Sequence, residues 1–201
     1  MSASIPNRME VHVALVHHPV LNRRGETIAT AVTNLDIHDL ARSGRTFDVH
    51  TTWLITPLEQ QRSLVDRIVG HWQQGEGQTY NPIRAKAFER VKVAESIEAL
   101  IETLTETSGA RPLVVGTGAA VTENAISYDA CRVRIAQGSG DLVLLFGTGW
   151  GLVSEVMANC DLLLPGVNAV PGRDGYNHLS VRAAVAIILD RLLGDRVEDP
   201  P

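Results

Sequence analysis

Three short glycine-rich or irregular turns each follow an apolar run that is typical of a buried β-strand. They are Gly116–Ala119, Gly147–Gly151 and Pro165–Asn168. In an open parallel sheet, ligands bind beyond the carboxyl ends of the strands, where such turns lie. Because glycine has no Cβ, its backbone N–H and C=O groups can approach a ligand closely. A single turn of this kind is usually a plain strand-to-helix connection, but three of them predict a pocket for a small molecule.

The second turn is close to the glycine fingerprint of dinucleotide-binding proteins but departs from it in spacing. That fingerprint is GxGxxG, and it opens the first strand–helix–strand unit of its domain. Here Gly147, Gly149 and Gly151 form GxGxG, Leu152 takes the place of the third glycine, and the motif lies in the last third of the chain. The P-loop motif GxxxxGK[ST] is absent from the sequence. These departures disfavour both a nicotinamide-dependent oxidoreductase and a P-loop NTPase.

A predicted helix over residues 33–46 carries a polar stripe that could contact an anionic substrate. At about 100° per residue, Asn34, His38, Arg42 and Arg45 share one side of this helix. Guanidinium groups can bind phosphate in a bidentate manner, which makes the stripe a candidate substrate contact. The alternative is an ordinary solvated helix face on which charged side chains pair with one another.

The last predicted helix, residues 179–193, is preceded by polar residues that could cap it. Asn177 or His178 would accept hydrogen bonds from the first free N–H groups of the helix. The helix is small and apolar almost all round, which predicts that it is buried. His178 has no partner ligands at helical spacing, and the pair His17–His18 has no acidic ligand nearby. The sequence therefore predicts no metal site.

Strand and helix signals alternate along the chain. Apolar runs predict strands at 11–16, 47–55, 90–93, 113–115, 142–146 and 162–164, and helical periodicity predicts helices at 33–46, 58–74, 96–107, 127–137 and 179–193. Unbroken apolar strands indicate a parallel sheet with helices on both faces. We therefore expect one α/β domain over residues 11–195, flexible tails at 1–10 and 196–201, and a mobile loop over residues 73–82.

The composition is that of an ordinary globular domain, with 44% of the 201 residues apolar and 20% charged. The net charge of −5 excludes a uniformly basic surface for nucleic acid but leaves room for a local basic patch. No run reaches the roughly 18 apolar residues of a membrane span, and residues 1–10 lack the apolar core of a secretory signal. The two cysteines form no CxxC pair. We therefore expect a cytoplasmic protein with no membrane partner.

Three motifs, taken in order, resemble those of the SPOUT class of S-adenosylmethionine-dependent RNA methyltransferases. The first runs from Asn34 to Arg42 on the early helix, overlaps the run AVTNLDIHD at residues 31–39, and is followed by YNP at residues 80–82. The second is LLFGTGWGL, residues 144–152, and the third is NHLSVRAA, residues 177–184. The whole arrangement, over residues 11–193, is similar to a small bacterial subgroup of RNA methyltransferases within this class.

The resemblance implies an α/β fold with a parallel sheet flanked by helices and a C-terminal deep trefoil knot. It implies a homodimer that binds S-adenosyl-L-methionine in a bent form and builds its substrate pocket from both subunits. Asn34 and Arg42 match the motif that faces the substrate, and they are the implied catalytic residues. The implied cofactor-binding residues are Thr117, Gly118, Ala119, Gly147, Thr148, Gly149, Trp150, Gly151, Leu164, Asn177, His178, Leu179, Ser180 and Val181.

The resemblance implies methyl transfer to a nucleoside of tRNA or rRNA, and no DNA partner. Ribose-methylating members often carry a glutamate between the glycines of the second motif, whereas this chain has no acid at residues 147–151. The ribose hydroxyl and a base nitrogen therefore both remain open as acceptors. The alternative interpretation is a non-catalytic module that binds S-adenosylmethionine or another nucleotide in the same pocket.

The basic residues that could contact RNA are expected to form a local patch. Arginine stays charged at neutral pH, so Arg42 is expected to hold a phosphate or polarise the acceptor rather than remove a proton. The alternative is a set of scattered, solvated charges. The candidate patch consists of Arg42, Arg45, Arg84, Lys86, Arg90 and Lys92.

Overall fold

Six parallel strands form the central sheet of the computed structural model, which describes residues 8–121, 125–170 and 176–196. Their bounds are β1 Glu10–Val16, β4 Thr51–Ile55, β5 Val91–Ala94, β6 Leu113–Thr117, β7 Asp141–Gly147 and β8 Leu162–Leu164. They lie in the order β5-β4-β1-β7-β6-β8. Between β1 and β4 the chain forms an antiparallel hairpin from β2 Val20–Leu21 and β3 Thr27–Ile28. The predicted parallel α/β sheet is confirmed, whereas the hairpin was not predicted.

Five of the described helices begin at a residue whose side chain caps them. Thr33 accepts a hydrogen bond from the N–H of Asp36, and the Asp36 carboxylate accepts one from the N–H of Thr33, which completes a capping box. Ser96, Ser127 and Ser180 each cap a later helix by accepting a hydrogen bond from the N–H three residues further on. The bounds are α1 Asn34–Thr46, α2 Glu59–Gln73, α3 Glu76–Tyr80, α4 Pro82–Phe88, α5 Ile97–Ser108, α6 Tyr128–Gln137, α7 Ser154–Ala158 and α8 Val181–Leu193.

Two predictions about local structure are wrong. Residues 73–82 do not form a loop, because Glu76–Tyr80 folds as α3 and Pro82 begins α4. Gly77 lies inside α3, where a Cβ would come within 2.8 Å of the Trp72 ring, so the position favours glycine for lack of space. The apolar run 47–55 becomes a strand only from Thr51, since Phe47 is the C-cap of α1.

Helices cover both faces of the sheet and divide the core into two clusters. One cluster joins the strands to α1, α2, α4, α6 and α8, and it includes Ile37, Phe88 and Val185. The other joins the opposite face to α5 and α7, and it includes Leu100 and Met157. The helix α1 packs against both α4 and α8. This layer therefore holds the candidate substrate helix between two neighbours.

The helix α8 is less buried than its apolar sequence predicts. Val185, Ile188, Leu189 and Leu192 are buried in the core. The other side of the helix, with Ala183, Ala184, Ala186 and Ile187, is only half-buried. The prediction of a helix buried almost all round is therefore wrong for this side. In the described part of the chain, no helix is both long enough and apolar enough to cross a membrane.

Candidate active site

The carboxyl ends of β1, β7, β6 and β8 lie side by side because these strands are parallel neighbours. All three turns singled out in the sequence therefore reach the same edge of the sheet. Residues 117–119 follow β6, residues 147–151 follow β7, and residues 165–168 follow β8. The hairpin β2–β3 and the start of α1 follow β1 at this edge. The sheet thus assembles loops that are far apart in sequence.

The turns after β6 and β8 pack directly on each other through backbone. A Cβ at Gly166 would come within 2.5 Å of the carbonyl oxygen of Ala119, so a side chain cannot fit there. The Gly166 N–H donates a hydrogen bond to the Val121 carbonyl at 3.2 Å. The Asn177 amide nitrogen in turn donates to Asn168 Oδ1 at 2.8 Å. These contacts bring the first and third groups of predicted cofactor residues together.

The glycine-rich turn after β7 is held by the hairpin. The Trp150 N–H donates to the Leu21 carbonyl at 2.9 Å, and the Leu21 N–H donates to the Gly151 carbonyl at 2.9 Å. Gly149 has a φ of +59°, and a Cβ there would come within 2.8 Å of the Leu21 carbonyl oxygen. Only glycine adopts this conformation at this distance without strain. The indole of Trp150 is 64% exposed at the tip of the turn.

The hydroxyl groups of the predicted cofactor loops are engaged within the protein. Thr117 Oγ1 donates to the Leu145 carbonyl at 2.8 Å, and Thr148 Oγ1 donates to the Val16 carbonyl at 3.0 Å. Ser180 Oγ accepts from the Ala183 N–H and caps α8. The prediction that Asn177 or His178 caps this helix is therefore wrong. The loops present mainly backbone N–H and C=O groups to the edge of the sheet.

The other predicted cofactor residues, in β8 and before α8, differ in how far they are buried. Leu164 is fully buried at the end of β8, and Val181 packs against the core. Leu179 is about half exposed, and the His178 ring lies edge-on to Tyr176 at 5.3 Å. Apolar side chains beside an imidazole can pack against one face of a planar ring, such as an adenine.

Asn34 and Arg42 do not lie together. Asn34 is in the first turn of α1 at the loop edge, whereas Arg42 lies two turns further along, about 12 Å away at 1.5 Å per residue. Arg42 lines a groove of about 480 Å³ between α1 and α8. The other lining residues of this groove are Asp39, Ser43, Thr46, Phe47, Ser180, Arg182, Ala183 and Ala186.

An ion pair joins the first turns of α1 and α8. Arg182 donates to Asp36 Oδ1 at 3.2 Å and, through Nε, to Asp39 Oδ2 at 3.2 Å. Asp36 is buried and also caps α1, so its carboxylate has several donors. The motif that contains Asn34 is therefore coupled to the segment that contains Ser180. Neither Asp36 nor Arg182 is among the site residues predicted from the sequence.

His38 lies on the same stripe as Arg42 but packs against the neighbouring helices. Its ring meets Trp72 and Phe88 edge-on, at 5.5 and 4.9 Å between ring centroids. Burial lowers the pKa of His38, and the nearby guanidinium of Arg84 lowers this pKa further. The stripe is therefore not a purely solvated face.

His17 is a buried site residue that the sequence analysis considered only as a zinc ligand and dismissed. It follows β1 directly, and its side chain is 1% exposed. Its Nδ1 is 3.0 Å from Thr30 Oγ1, and its Nε2 has no hydrogen-bond partner within the described residues. Burial lowers the pKa of His17 to about 4, although the charge of Asp36 opposes this shift. The only signal in the sequence is its position after a predicted strand.

Comparison with known proteins assigns the family. Residues 10–194 match the sequence model of a family described as SAM-dependent RNA methyltransferase. The chain belongs to the SAM-dependent RNA methyltransferase family. The resemblance to S-adenosylmethionine-dependent RNA methyltransferases that the sequence motifs indicated is confirmed at the level of this family.

Relatives of this methyltransferase include both longer and similar-sized proteins. It is 44% identical to the tRNA (guanine-N(1)-)-methyltransferase of Nitratidesulfovibrio vulgaris, over 97% of this chain but 44% of that protein. The chain thus spans less than half the length of the first curated relatives that it matches. It is also 36% identical to an uncharacterized protein of Aquifex aeolicus, over 90% of this chain and 87% of that protein.

Solved structures share the fold of this methyltransferase. The SpoU methyltransferase AviRb from Streptomyces viridochromogenes has a TM-score of 0.54 at 15% identity, over 94% of this chain and 61% of that chain. The AdoMet-bound rRNA methyltransferase from Sinorhizobium meliloti has a TM-score of 0.52 at 18% identity, over 93% of this chain and 57% of that chain. At these identities the likeness concerns the fold alone.

The buried histidines predict that the protein loses stability as the pH falls. The pKa of His17 is lowered from 6.5 to about 4 on folding, so the unfolded chain binds the additional proton. This contribution to stability is fully present above pH 6.5 and is lost as the pH falls toward 4. Urea unfolding should show that His17→Asn, which cannot titrate, reduces the stability difference between pH 7.5 and 5 by about 2 kcal/mol. Equal pH dependence in both proteins would contradict the assignment.

Proposed function

We propose that this chain transfers the methyl group of S-adenosylmethionine to a nucleoside of tRNA. The observation that carries the proposal is the convergence of three loops at one edge of the sheet. In two of these loops a glycine, Gly149 or Gly166, packs so closely on a neighbouring carbonyl that no side chain fits. The name of the Nitratidesulfovibrio relative favours tRNA over rRNA as the acceptor. The sulfonium already activates the methyl group, so the protein has to align the acceptor atom and let its proton leave.

The proposed cofactor site uses backbone more than side chains. Residues 117–119 would line one side of the cofactor, and residues 147–151 would contact its ribose and methionine part. Leu164 and residues 177–181 would border the adenine. The internal hydrogen bonds of Thr117 and Thr148 support this assignment, because they leave backbone groups as the polar contacts of these loops. A module that only binds the cofactor would share this pocket, and methyl transfer to tRNA separates the two functions.

Gly149→Val should abolish cofactor binding. The valine Cβ would lie 2.8 Å from the Leu21 carbonyl and would require a positive φ, so the glycine-rich turn must shift away from the hairpin. The matched control is Gly70→Ala in α2, where a Cβ meets nothing within 4 Å. Calorimetry should detect S-adenosylmethionine binding to the wild type and the control but not to Gly149→Val. Binding of NAD without S-adenosylmethionine binding would refute the proposed cofactor site.

We also propose that the active form is a homodimer that packs through α1 and α8. The half-buried side of α8 and the groove beside it are rich in small residues, including Ser43, Ala183 and Ala186. Small side chains allow the backbone of a partner helix to approach closely. A partner seated there would contact Arg42, which lies in this groove and two turns from Asn34. Arg42 would then complete the substrate pocket of the other subunit.

A heterodimer of two inactive variants tests this shared site. Arg42→Ala and Gly149→Val should each abolish methyl transfer in their own homodimers. Coexpression with two affinity tags should yield a heterodimer that is active in one of its two sites, because one site combines an intact Arg42 with an intact cofactor loop. Methylation of tRNA by the purified heterodimer measures this recovery. An inactive heterodimer, or a monomeric mass by light scattering at micromolar concentration, would refute the shared site.

The C-terminal deep trefoil knot belongs to the same proposal. The strand β8 ends at the outer edge of the sheet, yet α8 packs between α1 and α6 on the face of the sheet. Part of the connection between β8 and α8, residues 171–175, lies outside the described residues, so the knot stays a prediction. An experimental structure traced through residues 165–181 tests it.

We propose that RNA contacts a basic surface on α1 and α4, which consists of Arg42, Arg84 and Lys86. No carboxylate within the described residues forms an ion pair with any of these three side chains. The exposed ring of Tyr80 lies just before α4 and could stack on a base. Within the described residues, Arg42 and Lys86 have no side-chain partner, and the Arg84 guanidinium lies 5.2 Å from the centroid of the Trp72 ring, so all three charges remain without a carboxylate.

Three other members of the predicted patch have partners in the protein. Arg90 donates to Asp48 at 2.7 Å, and Arg45 lies 3.8 Å from Glu89. The ammonium of Lys92 lies over the ring of Trp53. We therefore expect Arg45 to contribute less to RNA binding than Arg42 does.

Replacement of Arg42 or Arg84 by alanine should reduce the salt dependence of tRNA binding. Each phosphate contact releases counterions, so Arg42→Ala and Arg84→Ala should each weaken binding and flatten the salt slope by about one unit. Arg111→Ala is the matched control, because Arg111 is paired with Asp161. Filter binding of tRNA over a range of salt concentrations measures the slope, and cofactor affinity should stay unchanged in all three variants. A slope that no variant alters would exclude this surface as the RNA site.

A further inference from the structure

A chain of hydrogen bonds links the buried His17 to the glycine-rich turn. His17 Nδ1 lies 3.0 Å from Thr30 Oγ1, and Thr30 Oγ1 lies 2.6 Å from Thr148 Oγ1. Thr148 Oγ1 then lies 3.0 Å from the Val16 carbonyl, the residue before His17. The series of hydrogen bonds therefore begins and ends at the carboxyl end of β1. The hydrogen bonds connect three segments that meet at the loop edge: the end of β1, Thr30 two residues after β3, and the turn after β7.

Counting donors fixes the direction of these hydrogen bonds. Each threonine hydroxyl has one proton to donate. Thr148 uses its proton toward the Val16 carbonyl, so Thr30 must donate to Thr148, and His17 Nδ1–H must donate to Thr30. The opposite direction would require Thr148 to donate twice, and it would leave a buried N–H at Nε2 without an acceptor. His17 is therefore neutral, with its proton on Nδ1.

The unpartnered Nε2 explains why this form is stable. A lone pair without a partner costs less free energy on burial than an N–H without an acceptor, and a buried imidazolium costs more than either. Protonation of Nε2 would create such a charge with no acceptor among the described residues. The charge of Asp36, at the start of α1, acts in the opposite direction but does not prevail.

We propose that His17 is a positioning residue that holds the glycine-rich turn for the cofactor through Thr30 and Thr148. The inference rests on the proposed function of residues 147–151. The backbone N–H of Thr148 also donates to the Val16 carbonyl at 3.1 Å, so the turn is tied to β1 through both its backbone and its side chain. Loss of the histidine donor removes the hydrogen bond that orients the Thr30 hydroxyl, so Thr30 no longer holds Thr148 in one geometry.

Two substitutions at His17 distinguish the effect of its hydrogen bond on cofactor binding from the effect of its ring volume. His17→Phe keeps a planar ring in the core but has no donor, and it should weaken S-adenosylmethionine binding about tenfold, as expected for one buried hydrogen bond. His17→Asn places an amide N–H near the position of Nδ1 and should restore most of the affinity. Calorimetry measures cofactor affinity, and thermal unfolding without cofactor reports any general loss of stability.

A double-mutant cycle tests whether the effect passes through the threonines. Thr148→Val removes the receiving hydroxyl, so the combination with His17→Phe should bind the cofactor no more weakly than the weaker single variant. Thr107→Val, on the exposed side of α5, should instead combine additively with His17→Phe. Binding of tRNA should stay unchanged in all of these variants.

The outcomes distinguish this inference from the proposed function. If the wild type binds S-adenosylmethionine and Gly149→Val does not, but His17→Phe binds it normally, the positioning role is wrong and the proposed cofactor site stands. If His17→Asn binds as weakly as His17→Phe, or if Thr148→Val combines additively, the hydrogen-bond chain is not the cause. Failure of the wild type to bind S-adenosylmethionine would overturn both.

Discussion

Asp36 is buried in the first turn of α1, where its carboxylate meets groups from two helices. It accepts hydrogen bonds from the N–H and the hydroxyl of Thr33, and it pairs with Arg182 at the start of α8. A carboxylate is rarely buried unless its charge is paired and its oxygens are hydrogen-bonded. The first turns of α1 and α8 must therefore stay next to each other, so that the Asp36 carboxylate keeps its partners. The positions of Asn34 and Ser180 at the loop edge depend on the same contact.

The loop edge is built mainly from backbone contacts. At Gly166 and Gly149, a neighbouring carbonyl occupies the space of a Cβ, while the hydroxyls of Thr117, Thr148 and Ser180 point inward. Such a surface owes its shape to strand geometry and to the absence of side chains. A change of side-chain chemistry on the loops should therefore matter less for the cofactor than the addition of one methyl group at either glycine.

Features that depend on residues close in sequence could be predicted from the sequence, whereas features that depend on distant residues could not. The capping box needs only Thr33 and Asp36, three residues apart, and the alternation of apolar runs and helices predicts a parallel sheet. The glycine at 77 indicated a break, but the Trp72 ring that requires it inside α3 is a tertiary contact. The His17 chain depends on Thr30 and Thr148, the latter 131 positions away along the sequence, and no pattern near His17 signals either partner.

The centre of the sheet also sets the order in which the chain can assemble. The strand β1 pairs along its whole length with β7, so that Glu10 lies opposite Asp141, whereas β1 and β4 are much closer in sequence. Pairing across such a separation costs chain entropy before any contact is gained, and it slows folding. During synthesis, β1, β4 and β5 can pair as soon as they emerge, but one side of β1 stays without its partner until β7 is made. The nascent chain thus carries an unpaired strand edge until β7 is made, and an unpaired strand edge is prone to aggregate.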